Sequence, residues 1–209
     1  MGCYQGVGKV IVVVEGISAS GKSTWCNAHG ADHTIPETGP VQNVPCEQSD
    51  PQGAAAYWAG RNVLRWQAAL AMEQRTGLAL CDTDPLKLHY TWCLWQIGEV
   101  TEQQWQLSVQ AVRATVGGRK IGFADAYFVK TIDPDLARAQ ARVDMTRRRQ
   151  KLDLHVRLQP ALLKWYEVLD KVLPDRVQFG FPDELPTMHE LNRYPGLAVF
   201  DDLIAALPA

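Results

Sequence analysis

A chain of 209 residues suits one compact domain, and its formal net charge of -2 and pI of about 6.2 provide no global basic field for nucleic acid or anionic lipid. No apolar run reaches the roughly 20 residues of a membrane span, and residues 1–8 lack the charged and apolar regions of a signal peptide. A cytoplasmic protein without nucleic-acid or membrane partners is expected.

In chain order, residues 9–15, KVIVVVE, form a β-branched run suited to a strand buried on both faces. A glycine-rich turn follows, then a short helix over 22–29 and a brief strand over 33–37. Residues 41–53 read as loop. The stretch 54–75 is rich in helix formers, and Gly77 stands where a C-terminal cap belongs. Residues 78–81 predict a third buried strand ending at Asp82, followed by helices over 86–98 and 101–117. A fourth strand is expected over 126–132, an arginine-rich helix over 134–149, another helix over 158–173 and a short fifth strand over 177–179. Residues 181–195 read as loop, and 195–209 as loop and a final helix. Strands and helices alternating at these lengths predict a single α/β domain, 1–209, built as a three-layer sandwich on a mostly parallel, roughly five-stranded sheet.

The five cysteines, Cys3, Cys26, Cys46, Cys81 and Cys93, are odd in number and contain no C-x-x-C pair, so free thiols are expected. Cys26, His29, His33 and Cys46 make an incomplete zinc pattern that lacks a second close pair.

Gly16-Ile17-Ser18-Ala19-Ser20-Gly21-Lys22-Ser23 matches G-x-x-x-x-G-K-[ST] in every fixed position, with Thr24 as a second hydroxyl. A strand precedes it and a helix follows. Glycines let the backbone turn tightly enough for successive N–H groups to face phosphate, Lys22 brings a mobile cation, and Ser23 is the expected magnesium ligand. ATP and Mg2+ are therefore the expected cofactors. Asp82 closes LALCD as a strand-end acid that supports the metal, and Asp84 is a candidate substrate contact. Asp82-Thr83-Asp84-Pro85 is also a credible helix cap.

The order of these elements resembles the deoxynucleoside and thymidylate kinase group of P-loop kinases over nearly the whole chain. That resemblance implies a P-loop NTPase fold with an arginine-rich helical lid, here at about 138–155, and phosphoryl transfer from ATP to a small acceptor. It makes Glu37, in Ile35-Pro36-Glu37-Thr38, the general base, and Arg142, Arg147, Arg148 and Arg149 the guanidinium groups around the transferring phosphoryl group. The helix before the third strand supplies the acceptor side, with Tyr57, Trp58 and Arg61 as candidates. The group's acid–arginine pair at the end of the third strand is Asp82-Thr83 here, without the arginine. The acceptor is first a nucleoside or nucleoside-like molecule; an antibiotic or other natural product is the alternative. A nucleotide-operated switch has little support, because no N-K-x-D motif occurs and the single D-x-x-G match is Asp50-Pro51-Gln52-Gly53. Nothing in the sequence opposes a homodimer.

Overall fold

Strand β1 (Val10–Glu15) is buried along its whole length at the centre of a five-stranded parallel sheet in the computed structural model, which describes residues 9–37, 41, 43–143 and 151–208. Its alternating side chains explain the burial. Ile11 and Val13 enter one hydrophobic cluster, and Val10, Val12 and Val14 enter another on the opposite face. Each fully buried side chain of this size contributes about 1.5–3 kcal/mol.

The other strands are β2 (Thr34–Ile35), β3 (Leu78–Asp82), β4 (Ala126–Val129) and β5 (Val177–Phe179), in the order β2-β3-β1-β4-β5. β3 and β4 flank β1, with Val14 opposite Asp82 and Glu15 opposite Val129. The chain therefore moves to one side of β1 for β2 and β3 and to the other for β4 and β5. In an open α/β sheet such a reversal leaves a crevice at the carboxyl ends of the strands.

Helices α2 (Pro51–Thr76), α4 (Glu102–Gly117), α6 (Leu152–Val172) and α7 (Leu197–Ala206) pack over the Ile11 and Val13 face, together with α3 (Leu88–Gln96). The opposite face is covered by α1 (Lys22–Gly30), through Trp25 and Cys26, and by Phe181, Leu185 and Met188. Helix α5 (Pro134–Val143) packs against α6. These three layers are the α/β sandwich expected from the sequence.

Several boundaries differ from expectation for local reasons. α2 starts at Pro51 because the Asp50 carboxylate accepts from the Gly53 amide at 2.8 Å, with proline in the first turn, where no helical N–H is needed. The expected strand over 33–37 shrinks to two residues because residues 31–33 coil into a 3₁₀ turn, which leaves Glu37 in the following loop. α6 begins at Leu152 and runs through Pro160, which lies on the exposed side of the helix. The expected helix over 134–149 is seen to Val143, and Arg147, Arg148 and Arg149 lie outside the described residues.

Candidate functional site

The turn between β1 and α1 needs glycine at two points. Gly16 has φ +154, and a Cβ there would come within 2.6 Å of the Ser20 hydroxyl and 2.7 Å of the Lys130 carbonyl. Gly21 has φ +91 and serves as the N-cap of α1 without a side-chain cap, so the first amides of that helix are left for a ligand. Ala19 is also left-handed, at φ +70, an unfavourable conformation for a residue with a side chain. Lys22 Nζ donates to the carbonyls of Gly16 at 2.6 Å and Ile17 at 3.2 Å, which holds the cation inside the turn.

At the foot of this cradle, Ser23 Oγ donates to Asp82 Oδ2 at 2.6 Å. Asp82 is 4% exposed, and its Oδ1 is buried without a hydrogen-bond partner. A hydroxyl beside an unsatisfied carboxylate oxygen fits the small protein share of a magnesium shell, which is completed by phosphate and water oxygens. Among the described residues, no group of three or more His, Cys, Asp or Glu side chains is placed to hold a metal by itself.

A buried polar network lies behind the cradle. Glu15 accepts from the amides of Gly16 at 2.9 Å and Asp84 at 3.1 Å, and its Oε2 is 3.2 Å from His89 Nε2. Burial alone would push the Glu15 carboxyl up, but His89, Lys22 and the Gly16 amide together hold it well below the usual carboxylate range. Asp84 belongs to the same interior. It accepts from the Leu86 amide at 2.9 Å and the Tyr166 hydroxyl at 3.4 Å, and burial, only partly offset by His89, raises its carboxyl.

On the other wall, Glu37 pairs with Lys87, a residue of the loop leading to α3. Partial burial would raise the Glu37 carboxyl, yet the Lys87 ammonium more than compensates and lowers it. Thr83, where the resemblance expects arginine, takes φ +79, an outlier for a β-branched residue. A guanidinium does reach this loop, from α2: Arg65 is 6% exposed and donates to the carbonyls of Asp82 at 3.0 Å and Thr83 at 2.9 Å.

All these features border one cleft of about 780 Å³. Gly16 through Thr24, Glu37, Trp58 and Asp82 line it. Tyr57, Arg61 and Asp84 do not. On α2 the lining positions are Pro51, Ala54, Ala55, Trp58, Ala59 and Asn62, a stripe of helical period, and Tyr57 and Arg61 are rotated off it. Asp84 is turned into the core network, and Arg142 is exposed on the last turn of α5, away from the lining.

Glu15, Lys87, His89 and His155 also border the cleft, and sequence reasoning missed them. Glu15 had a signal, an acid closing a wholly apolar strand directly before the glycine turn. The two histidines and Lys87 had none, since their partners are remote in sequence.

No protein-family model matches the sequence, and no curated protein matches it. Among solved structures, a deoxyadenosine kinase from M. mycoides with bound dATP aligns with TM-score 0.55 over 82% of this chain and 90% of its own, at 11% identity. The deoxyadenosine kinase from M. mycoides with products dCMP and a flexible dCDP bound aligns with TM-score 0.53 over 93% and 96%, at 10% identity. The chain, with its five-stranded parallel sheet, thus shares its fold with this deoxyadenosine kinase.

Proposed function

We propose that this chain is an ATP-dependent kinase that moves a γ-phosphoryl group onto the hydroxyl of a small acceptor, with nucleosides and nucleoside-like molecules as the first class. The supporting observation is that a single cleft is bordered by the phosphate cradle, the Ser23 and Asp82 pair, and a carboxylate, Glu37, on another wall.

In this reading the amides of 16–24 and the Lys22 ammonium hold the triphosphate and meet the charge that develops on its oxygens. Mg2+ held by the Ser23 hydroxyl and Asp82 would neutralise charge on the β- and γ-phosphates. The acceptor oxygen bonds to the γ-phosphorus, the bond from that phosphorus to the β,γ-bridging oxygen breaks, and the acceptor proton passes to Glu37. Lys87 keeps Glu37 ionised, so it can accept that proton at neutral pH. A weak base suffices because phosphoryl transfer has a loose transition state with little demand for early deprotonation.

The test is magnesium-dependent ADP formation by wild type and Lys22→Ala, first without acceptor and then with separate pools of nucleosides, nucleoside monophosphates and hydroxylated antibiotics. ADP formation with one pool only, lost in the variant, supports the kinase and names its acceptor class. Slow turnover indifferent to every pool, alongside tight nucleotide binding, would count against it.

A further inference from the structure

The segment that closes β3 and leads to α3, residues 82–87, brings a side chain to each of two walls of the cleft. Asp82 at its start meets Ser23, and Lys87 at its end meets Glu37. Strand pairing with β1 ends at Asp82, with one further bond from the Thr83 amide to the Val14 carbonyl at 3.0 Å. Beyond that point Thr83 and Lys87 both take left-handed backbone, at φ +79 and +51. Residues with a Cβ hold such a conformation only where their surroundings over-determine it.

Helix α2 supplies that restraint. Nη2 of the buried Arg65 donates to the carbonyls of Asp82 at 3.0 Å and Thr83 at 2.9 Å, and Nη1 donates to the Asp84 carbonyl at 3.5 Å. Nearly one turn earlier on the same helix, Asn62 donates to the Leu86 carbonyl at 3.1 Å, directly before Lys87. A spacing of three puts both side chains on one face of α2, and the adjacent Trp66 and Ala69 anchor that helix in the core. Buried carbonyls need donors, and a planar guanidinium serves several at once, whereas an ammonium is a compact point charge. Arg65 does not line the cleft, so its influence on the site passes through this loop.

We infer that Arg65 is a positioning residue that, with Asn62, sets this loop so that Asp82 faces Ser23 and Lys87 faces Glu37 together. The inference deepens the kinase reading and rests on it for what Asp82 and Lys87 do there. Where the resemblance expects an arginine in the loop itself, the arginine here stands on α2 and grips the loop's backbone. A residue that only filled the core would, when altered, lower stability and leave both contacts as they are. Altering Arg65 loosens both contacts at once, because its three carbonyls lie between them.

The test compares Arg65→Lys, which keeps the charge and loses the fork, and Asn62→Leu, which frees the Lys87 end alone, with Asp125→Ala as a destabilised control outside the cleft. One readout is the Mg2+ concentration for half-maximal binding of a fluorescent ATP analogue. The other is the titration of Glu37, followed by NMR of its carboxyl carbon, which needs no nucleotide. Burial and Glu15 raise that carboxyl while Lys87 and Lys22 lower it, so a displaced Lys87 moves it up. In Arg65→Lys the Mg2+ requirement should rise at least about tenfold and Glu37 should titrate closer to the ordinary carboxylate range. Asn62→Leu should move Glu37 alone, and Asp125→Ala should move neither readout. Arg65→Lys with a lowered Tm and both readouts at wild-type values would overturn the inference, as would equal shifts in Asp125→Ala. If Arg65→Lys does not fold, an unmoved Glu37 in Asn62→Leu would overturn it. Wild type that forms no ADP with any acceptor, while both readouts respond as expected, would refute the kinase and leave Arg65 its positioning role. ADP formation by wild type with unmoved readouts in Arg65→Lys would do the reverse.

Discussion

Nε2 of His89 stands 3.2 Å from Oε2 of Glu15, with both side chains 4% exposed, directly behind the phosphate cradle. Glu15 also accepts from the amides of Gly16 and Asp84, so one carboxylate ties the glycine turn after β1 to the loop after β3.

Glu15→Gln removes that charge and one of the two acceptor oxygens, so either the Gly16 amide or the Asp84 amide with His89 loses its acceptor, and breaking a buried charge pair costs about 3–5 kcal/mol. Glu15→Gln should lose stability of that order in urea unfolding at neutral pH. The unfolded chain takes up this proton near the ordinary value of 4.5, whereas the folded carboxyl titrates well below it. Stability from Glu15 is thus complete above 4.5 and drains as pH falls below it, at up to about 1.4 kcal/mol per pH unit. If Glu15→Gln keeps the full acid slope of the wild type, another carboxylate is responsible.

The Ser23 and Asp82 contact yields a prediction about metal. Asp82→Asn preserves the shape and a hydrogen bond to Ser23 but removes the charge, so the Mg2+ concentration for half-maximal ADP formation should rise about 10–100-fold. Thermal unfolding in the absence of nucleotide should change little. A magnesium titration superimposable on wild type would place the metal's support elsewhere.

How far the sequence reached depended on the distance over which each feature is decided. The cradle was legible because its glycines, lysine and hydroxyl act at fixed local spacing, and the sheet was legible because β1 is β-branched throughout. The α2 wall of the cleft was not. Tyr57 and Arg61 sit one residue from Trp58 and Asn62, and which stripe of α2 faces the cleft is set by where Trp66 and Ala69 bury in the core. Lys87 meets Glu37, and His89 meets Glu15, only because β3 pairs beside both β1 and β2, a relation that no local pattern encodes. Asp84 looked like a ligand-edge acid, yet the Leu86 amide and the Tyr166 hydroxyl hold it inside.

The Glu37 and Lys87 pair sets a pH dependence. Lys87 lowers the Glu37 carboxyl, so Lys87→Met should move the acid limb of kcat/KM to higher pH, toward the ordinary carboxylate range. Glu37→Gln should reduce kcat by about 10²–10⁴ if the carboxylate accepts the acceptor proton, with ATP binding unchanged. An acid limb that stays in place in Lys87→Met would mean that this limb reports a different group.

A second buried charge cluster separates structure from function. Asp125 accepts from the amides of Ile11 at 2.7 Å and Leu191 at 2.9 Å and from Arg193 Nε at 2.9 Å, and Arg193 also reaches Glu73 at 3.4 Å. It pins β1 and the segment before α7 together, and none of these residues lines the cleft. Asp125→Ala leaves the core Ile11 amide without a partner and Arg193 with only Glu73 and the Lys9 carbonyl, a loss of about 3–5 kcal/mol, which for a domain of this size lowers Tm by roughly 10 °C. ADP formation per folded molecule, measured well below that Tm, should match wild type. Because the cluster fixes the base of β1 while the cradle grows from its other end, a fall in activity without a fall in Tm would show that strain in β1 reaches the phosphates.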